Sequence, residues 1–243
     1  MLLMAFLPLV GFAQETKEAP KAPKQNTLST YRVWVKDGHT EAFKAAVANH
    51  AQKFHTGNWK WRVSEVITGP DSGAYMINEG PNSWTDIDGR GTLGPEHEKD
   101  YASNILPHIE KSSPEMFVVY EEQASTTAAT NWSTKSGITH YFFKPGRGPA
   151  TFAWLKTLKP VIEKIGGNVV VWSTAFSGEG QFILVRRFKD GLKDMDLDTP
   201  SLRKTYDEIH GPGSYERALE EMGRNISHMH SELIEAKPEL SSK

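Results

Sequence analysis

The sequence predicts an α+β protein in which two tandem βαββαβ units pack their sheets into one intramolecular barrel. The first observation is an internal repeat: Tyr31–Gly38 (YRVWVKDG) and Thr139–Gly146 (THYFFKPG) share an alternating apolar pattern that ends in glycine. The second is that a helix-like stretch and two more strand-like segments follow each of these two segments. The third is the length of 243 residues, which suits two small units better than one.

The first unit is predicted over residues 30–122. Tyr31, Val33 and Val35 alternate with polar residues, as in a strand with one buried face. The other predicted elements, in chain order, are a helix from Thr40, strands at Trp59–Val63 and Ala74–Glu79, a loop at Gly80–Gly94, a helix from Pro95 and a strand at Met116–Glu122. The order is therefore βαββαβ.

The second unit, residues 138–236, repeats this order. Its first helix contains Pro160, which we expect to kink it or to end its first part, and Gly166 and Gly167 terminate it. Its second helical region is broken by a His-Gly-Pro-Gly segment that begins at His210, and its fourth strand spans Ile226–Glu235. A βαββαβ order is that of the ferredoxin-like unit, with antiparallel strands ordered 4-1-3-2 and both helices on one face.

The remaining segments are predicted as flanks and linkers. Residues 1–13 are an apolar run that ends in small residues, which is typical of an export signal, although no Lys or Arg precedes it. We expect a disordered linker at 14–29, a Ser/Thr/Ala-rich linker at 123–137 that packing of Trp132 anchors, and a frayed tail at 237–243. The run ending in Phe-Ala-Gln resembles signal peptides of Bacteroidetes, so we expect a periplasmic or secreted protein.

Composition excludes several classes of function. The net charge of −2 argues against a nucleic-acid partner, which needs a basic surplus or patch. The absence of cysteine excludes disulfides, thiolate metal sites and a cysteine nucleophile. The apolar run within residues 1–13 is too short to span a membrane, and no other apolar run reaches that length.

The tandem element order, over roughly Tyr31 to Glu235, resembles the dimeric α/β-barrel superfamily. That superfamily includes antibiotic-biosynthesis-type monooxygenases, NIPSNAP-like proteins and the chlorite-dismutase relatives. The resemblance implies a barrel in which one chain supplies both halves, as a monomeric pseudo-dimer; further association stays open. It rests on element order, and the sequence contains no catalytic signature of the family to carry over residue by residue.

Alternation along the strands predicts which side chains enter the barrel. Arg32, Trp34 and Lys36 should point inward from the first unit, and His140, Phe142 and Lys144 from the second. With Trp172, this mixed aromatic and cationic set predicts a site for an apolar or anionic small molecule, with Arg32, Trp34, His140, Phe142 and Trp172 as ligand-binding residues. The alternative is that the cationic heads reach solvent while their stems fill the barrel.

A second pattern, His228-Met-His230-Ser-Glu232, places two imidazoles and a carboxylate on one strand face. With His140 on the neighbouring strand, His228, His230 and Glu232 are candidate ligands for a divalent metal. The alternatives are polar side chains with no ligand or, since some barrel relatives bind it, a haem.

Three functions remain open from the sequence. The first is an exported small-molecule-binding protein of uncharacterised function. The second is a monooxygenase-like or metal-dependent oxidoreductase, with His140 as the candidate catalytic residue. The third is a structural or partner-binding module with a filled barrel.

Overall fold

The computed structural model describes residues 22–176 and 178–243. The predicted export signal and the first part of the 14–29 linker lie outside them. The strands are β1 Thr27–Val35, β2 Trp61–Val66, β3 Tyr75–Asn82, β4 Ile109–Ser112, β5 Met116–Tyr120, β6 Lys135–Phe143, β7 Val169–Ala175, β8 Gln181–Phe188 and β9 Ile226–Ala236. The helices are α1 Thr40–Phe54, α2 Trp84–Gly89, α3 Pro95–Asp100, α4 Gly148–Lys164, α5 Leu202–His210 and α6 Ser214–Asn225.

Eight of these strands close into an antiparallel barrel. In the first repeat the order β5-β1-β3-β2 is the predicted 4-1-3-2, and in the second repeat β9-β6-β8-β7 is the same order. The edges of the two repeats then pair with each other, β2 with β9 and β5 with β7. No edge of either four-stranded unit is therefore left open, because each repeat supplies the partner strands of the other.

The barrel separates three hydrophobic cores. One core lies inside the barrel and contains Leu28, Val118, Ile138 and Trp172. The other two lie between the outer sheet face and the helices, around Phe43 and Val47 of α1 and around Trp154 and Leu155 of α4 in the second repeat. Within the described part of the chain, none of the helices is both long and apolar enough to cross a membrane.

Several elements differ from the prediction because of contacts that are distant in sequence. The linker expected to end at residue 29 already forms β1 from Thr27, where Thr27 and Leu28 are buried against β5. The loop expected at Gly80–Gly94 contains α2, which Ser83 caps by accepting a hydrogen bond from the backbone NH of Asp86. The last three residues of the segment predicted as a linker at 123–137 already belong to β6, which begins at Lys135.

Two further elements differ from the prediction. α4 does not end at Pro160, because it runs on to Lys164. The predicted fourth strand of the first repeat is β5, and an additional strand, β4, which begins at Ile109, precedes it along the same edge of β1.

The C-terminal tail, expected to fray, is docked. β9 pairs with β2 only over Ser64–Val66, which leaves the backbone of Trp61 and Val63 without strand partners on that side. Ser241 Oγ accepts from Val63 N (3.0 Å), and Ser242 exchanges hydrogen bonds with the backbone of Trp61. The tail therefore completes the edge of β2 and carries Leu240 into the core beneath α1.

Candidate functional site

The barrel encloses a cavity of about 390 Å³. Its exposed wall is mostly apolar surface, and the polar residues in the wall include three arginines, Asn78 and His140. The apolar part is Leu28, Val63, Met76, Met116, Val118, Trp132, Ile138, Trp172, Ile183, Val185, Ile234, Ala236 and Pro238. A mainly apolar wall surface with polar groups at defined positions is the usual composition of a small-molecule site.

Strand alternation assigned the faces of β1 and β6 correctly. Tyr31, Val33 and Val35 pack with the helices of the first repeat, and Tyr141 and Phe143 with those of the second. Of the complementary positions, Arg32 and His140 reach the cavity. Lys36 and Lys144, which we expected to point inward, lie just beyond the ends of β1 and β6, are exposed and donate to the backbone carbonyls of Pro107 and Gly223. A one-residue slip in register would have exchanged these sets, so the hydrophobic pattern determines which residues can reach the cavity.

The five predicted ligand-binding residues occupy two kinds of position. Arg32, His140 and Trp172 line the cavity. Trp34 packs against the core inside the barrel and is covered by the ammonium group of Lys111, and Phe142 stacks on His228 with ring centroids 4.2 Å apart; neither of them forms part of the cavity wall. A binding role for all five remains a prediction.

A buried polar network joins β1, β6 and β9 at one part of the cavity wall. The guanidinium of Arg32 donates to both carboxylate oxygens of Glu232, with Nη1 2.9 Å from Oε2, and also pairs with Asp71. His140 lies between Glu232 Oε1 (3.2 Å from Nε2) and Gln181 Oε1 (2.8 Å from Nδ1). Every charged member of this network therefore has a partner of opposite charge or a hydrogen bond.

The network lowers the pKa of Glu232. Burial alone would raise the pKa of this carboxyl, but the hydrogen bonds and charges of His140 and Arg32 outweigh it and lower the pKa below 4.5. Burial and the neighbouring His140 lower the pKa of His230 below 6.5. Glu232 is therefore a carboxylate at neutral pH, and His230 is a neutral imidazole.

A glycine turn holds Asp71 in this network. Gly69 has φ +97° and lies so close to β9 that a Cβ would be 2.9 Å from the carbonyl oxygen of Ser231. Only glycine meets both requirements without strain, since L-residues rarely adopt this φ. The β2–β3 turn can therefore pack on the strand that carries Glu232.

The predicted metal set is not assembled as proposed. His228 is exposed, stacks on Phe142 and faces Glu179 at 3.8 Å, because it lies at the mouth of the barrel, two residues beyond His230. The group that does converge is His140, His230 and Glu232, whose potential ligand atoms all lie within 4.8 Å of one another. Both oxygens of Glu232, however, already accept from Arg32, and a cation there would meet the guanidinium charge.

The residue that sequence reasoning missed is Arg187. It pairs with Ser136 across β6–β8, which places it about 13 Å along the barrel from His140 at 3.3 Å per residue. It is 6% exposed, donates from Nη2 to Ala129 O (2.8 Å) and lies 4.9 Å from the Trp132 ring centroid. Alternation along β8 could have predicted this position, because every second residue of the strand points inward and Arg187 follows Ile183 and Val185 in that set.

Arg187 is a buried cation without a carboxylate partner among the described residues, and its Nη1 has no hydrogen-bond acceptor there. Burial lowers its pKa to about 10, so the guanidinium still carries its charge at neutral pH. Because an unpaired buried charge is costly, this nitrogen is a ready donor to an anion in the cavity.

Comparison with protein-family models and with curated proteins gave no match. Solved structures do match. A monooxygenase-like protein from Fusobacterium nucleatum is 13% identical with a TM-score of 0.56, over 86% of this chain and 91% of its own. One from Lactobacillus acidophilus NCFM is 8% identical with a TM-score of 0.53, over 90% and 96%.

A mutant chlorite dismutase from Candidatus Nitrospira defluvii is 9% identical with a TM-score of 0.52, over 88% of this chain and 92% of its own. At these identities the likeness concerns the fold. The closed eight-stranded barrel, the 4-1-3-2 order in each repeat and these neighbours together show that the chain has the dimeric α/β-barrel fold, with both halves in one polypeptide.

Proposed function

We infer that this protein binds a small apolar molecule with one anionic group inside the barrel, between its two repeats. The observation that carries the proposal is the guanidinium of Arg187 on the wall of a mainly apolar cavity, where, among the described residues, it has no carboxylate partner and its Nη1 has no acceptor. A cavity of about 390 Å³ is within the range of about 300–1,000 Å³ usual for small-molecule sites.

The cavity argues against a filled barrel. Side chains of both repeats contribute to its wall, so a bound molecule would contact both halves of the chain. The apolar lining stabilises a ligand body by removing it from water, at about 25 cal/mol per Å² of apolar surface. The polar groups of the wall would then determine the orientation of the ligand.

The anionic group belongs at Arg187 and not at Arg32. Arg32 was the predicted cation, but Glu232 and Asp71 neutralise it. Arg187 has no such partner within the described residues. Arg62, a third arginine on the cavity wall, likewise lacks a carboxylate there and donates to Ser242 O, but it is only half-buried, whereas Arg187 is buried. A carboxylate, sulfonate or phenolate would pair with Arg187 Nη1.

Two fluorescent probes of one shape test this pairing. 8-Anilinonaphthalene-1-sulfonate carries an anion, and N-phenyl-1-naphthylamine is its neutral counterpart. We expect both to bind in the cavity and Arg187→Gln to weaken the sulfonate by about tenfold to a hundredfold, since hydrogen bonds to charged groups contribute about 1.5–3 kcal/mol. The neutral probe should change little, and fluorescence titration measures both affinities.

The matched control is Arg186→Gln, which removes the adjacent, exposed arginine and should leave both affinities unchanged. Val185→Trp, which fills the cavity, should abolish both. Equal weakening of the two probes by Arg187→Gln, or no effect on either, would contradict a role for Arg187 in holding an anion.

A second candidate is a monooxygenase-like oxidoreductase. Two neighbours of the fold are monooxygenase-like, and the buried His140 lines the cavity beside Glu232. In that function His140 would take a proton from a substrate hydroxyl or carbon, and Glu232 would stabilise the imidazolium that forms. The contact between Arg32 and Glu232 disfavours a metal at this position.

Oxygen consumption with a panel of quinol-like substrates tests the second candidate. We expect activity to be lost in His140→Ala and kept in His228→Ala, which changes a histidine at the barrel mouth. Consumption that both variants retain would remove His140 from the chemistry.

A further inference from the structure

Three histidines converge on the helix-covered side of the first repeat, outside the barrel. His50 lies on the buried face of α1, His55 follows the end of α1, and His97 comes from α3. Their potential ligand atoms all lie within 4.8 Å of one another, and their ring centroids are 4.8–5.2 Å apart. We call these three residues the trihistidine cluster.

Acceptors on the Nδ1 side orient two of the rings. His50 Nδ1 lies 2.7 Å from Asp100 Oδ2, and His55 Nδ1 lies 2.9 Å from Glu79 Oε2 and 3.1 Å from Trp59 O. These acceptors place the proton of each ring on Nδ1 and the lone pair on Nε2. A carboxylate behind the imidazole is the usual support of a metal-ligating histidine.

One of the opposite nitrogens lacks a partner. His50 is fully buried, and its Nε2 has no hydrogen-bond partner among the described residues. A buried polar atom without a partner costs free energy, so a purely structural cluster leaves this cost unexplained.

The spacing of one pair of nitrogens in the cluster fits a tetrahedral cation. His55 Nε2 and His97 Nε2 are 3.3 Å apart. Two nitrogens at about 2.0–2.1 Å from Zn²⁺ and at a tetrahedral angle are about 3.3 Å from each other. The separation of these two atoms is therefore already that of two ligands of one metal ion.

The surroundings keep the rings rigid. Trp61 stacks on His55 with centroids 3.8 Å apart, and Phe54 and Tyr101 contact His50.

A fourth coordination position is available. His55 and His97 line a pocket of about 280 Å³ next to Tyr31 and Tyr101, from which a water molecule could complete the coordination. Unlike the group in the barrel, the cluster contains no arginine bonded to a ligand atom; Arg90 pairs with Glu79, behind His55.

We propose that His50, His55 and His97 form a binding site for one divalent transition metal, of the Zn²⁺ class, with Asp100 and Glu79 as the groups that orient the ligands. Three imidazoles with one open position favour Zn²⁺ or Co²⁺ over Mg²⁺ and Ca²⁺, which prefer oxygen ligands. The site is separate from the barrel cavity and independent of the ligand proposed there.

Co²⁺ titration of chelator-treated protein, purified without a polyhistidine tag, tests the proposal. We expect one equivalent to bind, with the intense visible absorption of a tetrahedral site, and Zn²⁺ to displace it and to raise the melting temperature. His55→Gln and His97→Ala should abolish the absorption and the rise in melting temperature; far-ultraviolet circular dichroism checks that both variants fold.

The control is the double variant His140→Gln/His230→Gln, which removes the imidazoles of the barrel group. It should bind Co²⁺ as the wild type does. No stoichiometric binding to the folded wild type would overturn the proposal. So would a Co²⁺ spectrum that survives in His97→Ala but is lost in the barrel double variant.

Discussion

At the scale of single residues, partners decide what each buried charge or imidazole can do. Arg32 and Arg187 both point into the barrel. Glu232 and Asp71 neutralise Arg32, whereas the guanidinium of Arg187 contacts a backbone carbonyl and the Trp132 ring and has no carboxylate partner in the part of the chain that the structure describes. The same residue type is therefore structural at one position and available to an anion at the other.

Glu232→Gln tests the structural half of this contrast. The change leaves Arg32 buried with one carboxylate fewer, and breaking a buried pair costs about 3–5 kcal/mol. We expect a large fall in the free energy of unfolding, measured by urea denaturation. The matched control, Glu235→Gln on the outer face of the same strand, breaks pairs with Lys135 and Lys237 that are more exposed and should cost much less.

The pH dependence of the same variant has a definite sign. Folding lowers the pKa of Glu232, so its carboxylate stabilises the fold above the usual pKa of 4.5, and this contribution is lost as the pH falls through the folded-state value. Wild type should therefore lose more stability than Glu232→Gln between neutral pH and pH values below 4.5. Parallel losses in the two proteins would contradict this assignment.

At the scale of elements, the regular strands and helices were predictable, whereas the segments that complete them were not. Alternation in β1 and β6 indicated which side chains enter the barrel, and the spacing after Thr40 indicated α1. The Ser83–Asp86 capping box was readable and was missed. β4 and the docked tail depend on partners far away in the sequence, which periodicity does not report.

Leu240→Ala tests the role of the tail. Leu240 is 2% exposed and packs in the core of the first repeat, so its truncation should cost about 2–4 kcal/mol. Thermal or urea unfolding measures the loss. Glu239→Ala, at the exposed neighbour, should be close to neutral; equal stability of the two variants would mean that the tail is not a structural part of the fold.

The candidate sites show the same division between local and distant information. Arg32, His140 and Trp172 were predictable as cavity residues because each follows from the faces of its own strand. Arg187 was predictable from β8 but was overlooked. The trihistidine cluster was not predictable, because no sequence spacing relates α1 to α3 and its two carboxylates.

At the scale of the whole molecule, each repeat closes the other. The β2–β9 and β5–β7 pairings join the two four-stranded sheets, so neither repeat has a complete set of strand partners alone. An unpaired edge is both a loss of hydrogen bonds and a site of aggregation. We therefore expect the two repeats to unfold together.

Leu155→Ala tests this cooperativity. Leu155 is 1% exposed in the helix-side core of the second repeat, and its truncation should cost about 2–5 kcal/mol. Hydrogen exchange under conditions of global unfolding should show equal loss of protection in β3 of the first repeat and β8 of the second. Loss confined to the second repeat would show that the repeats unfold independently.

The proposal that the barrel holds an apolar anion with its charge at Arg187 can be tested by a crystal structure of the protein with 8-anilinonaphthalene-1-sulfonate. We expect the aromatic rings inside the barrel, in contact with Trp172 and Ile183, and a sulfonate oxygen within hydrogen-bond distance of Arg187 Nη1. A probe bound only on the outer surface, or one that enters the barrel with its sulfonate turned away from Arg187, would contradict it.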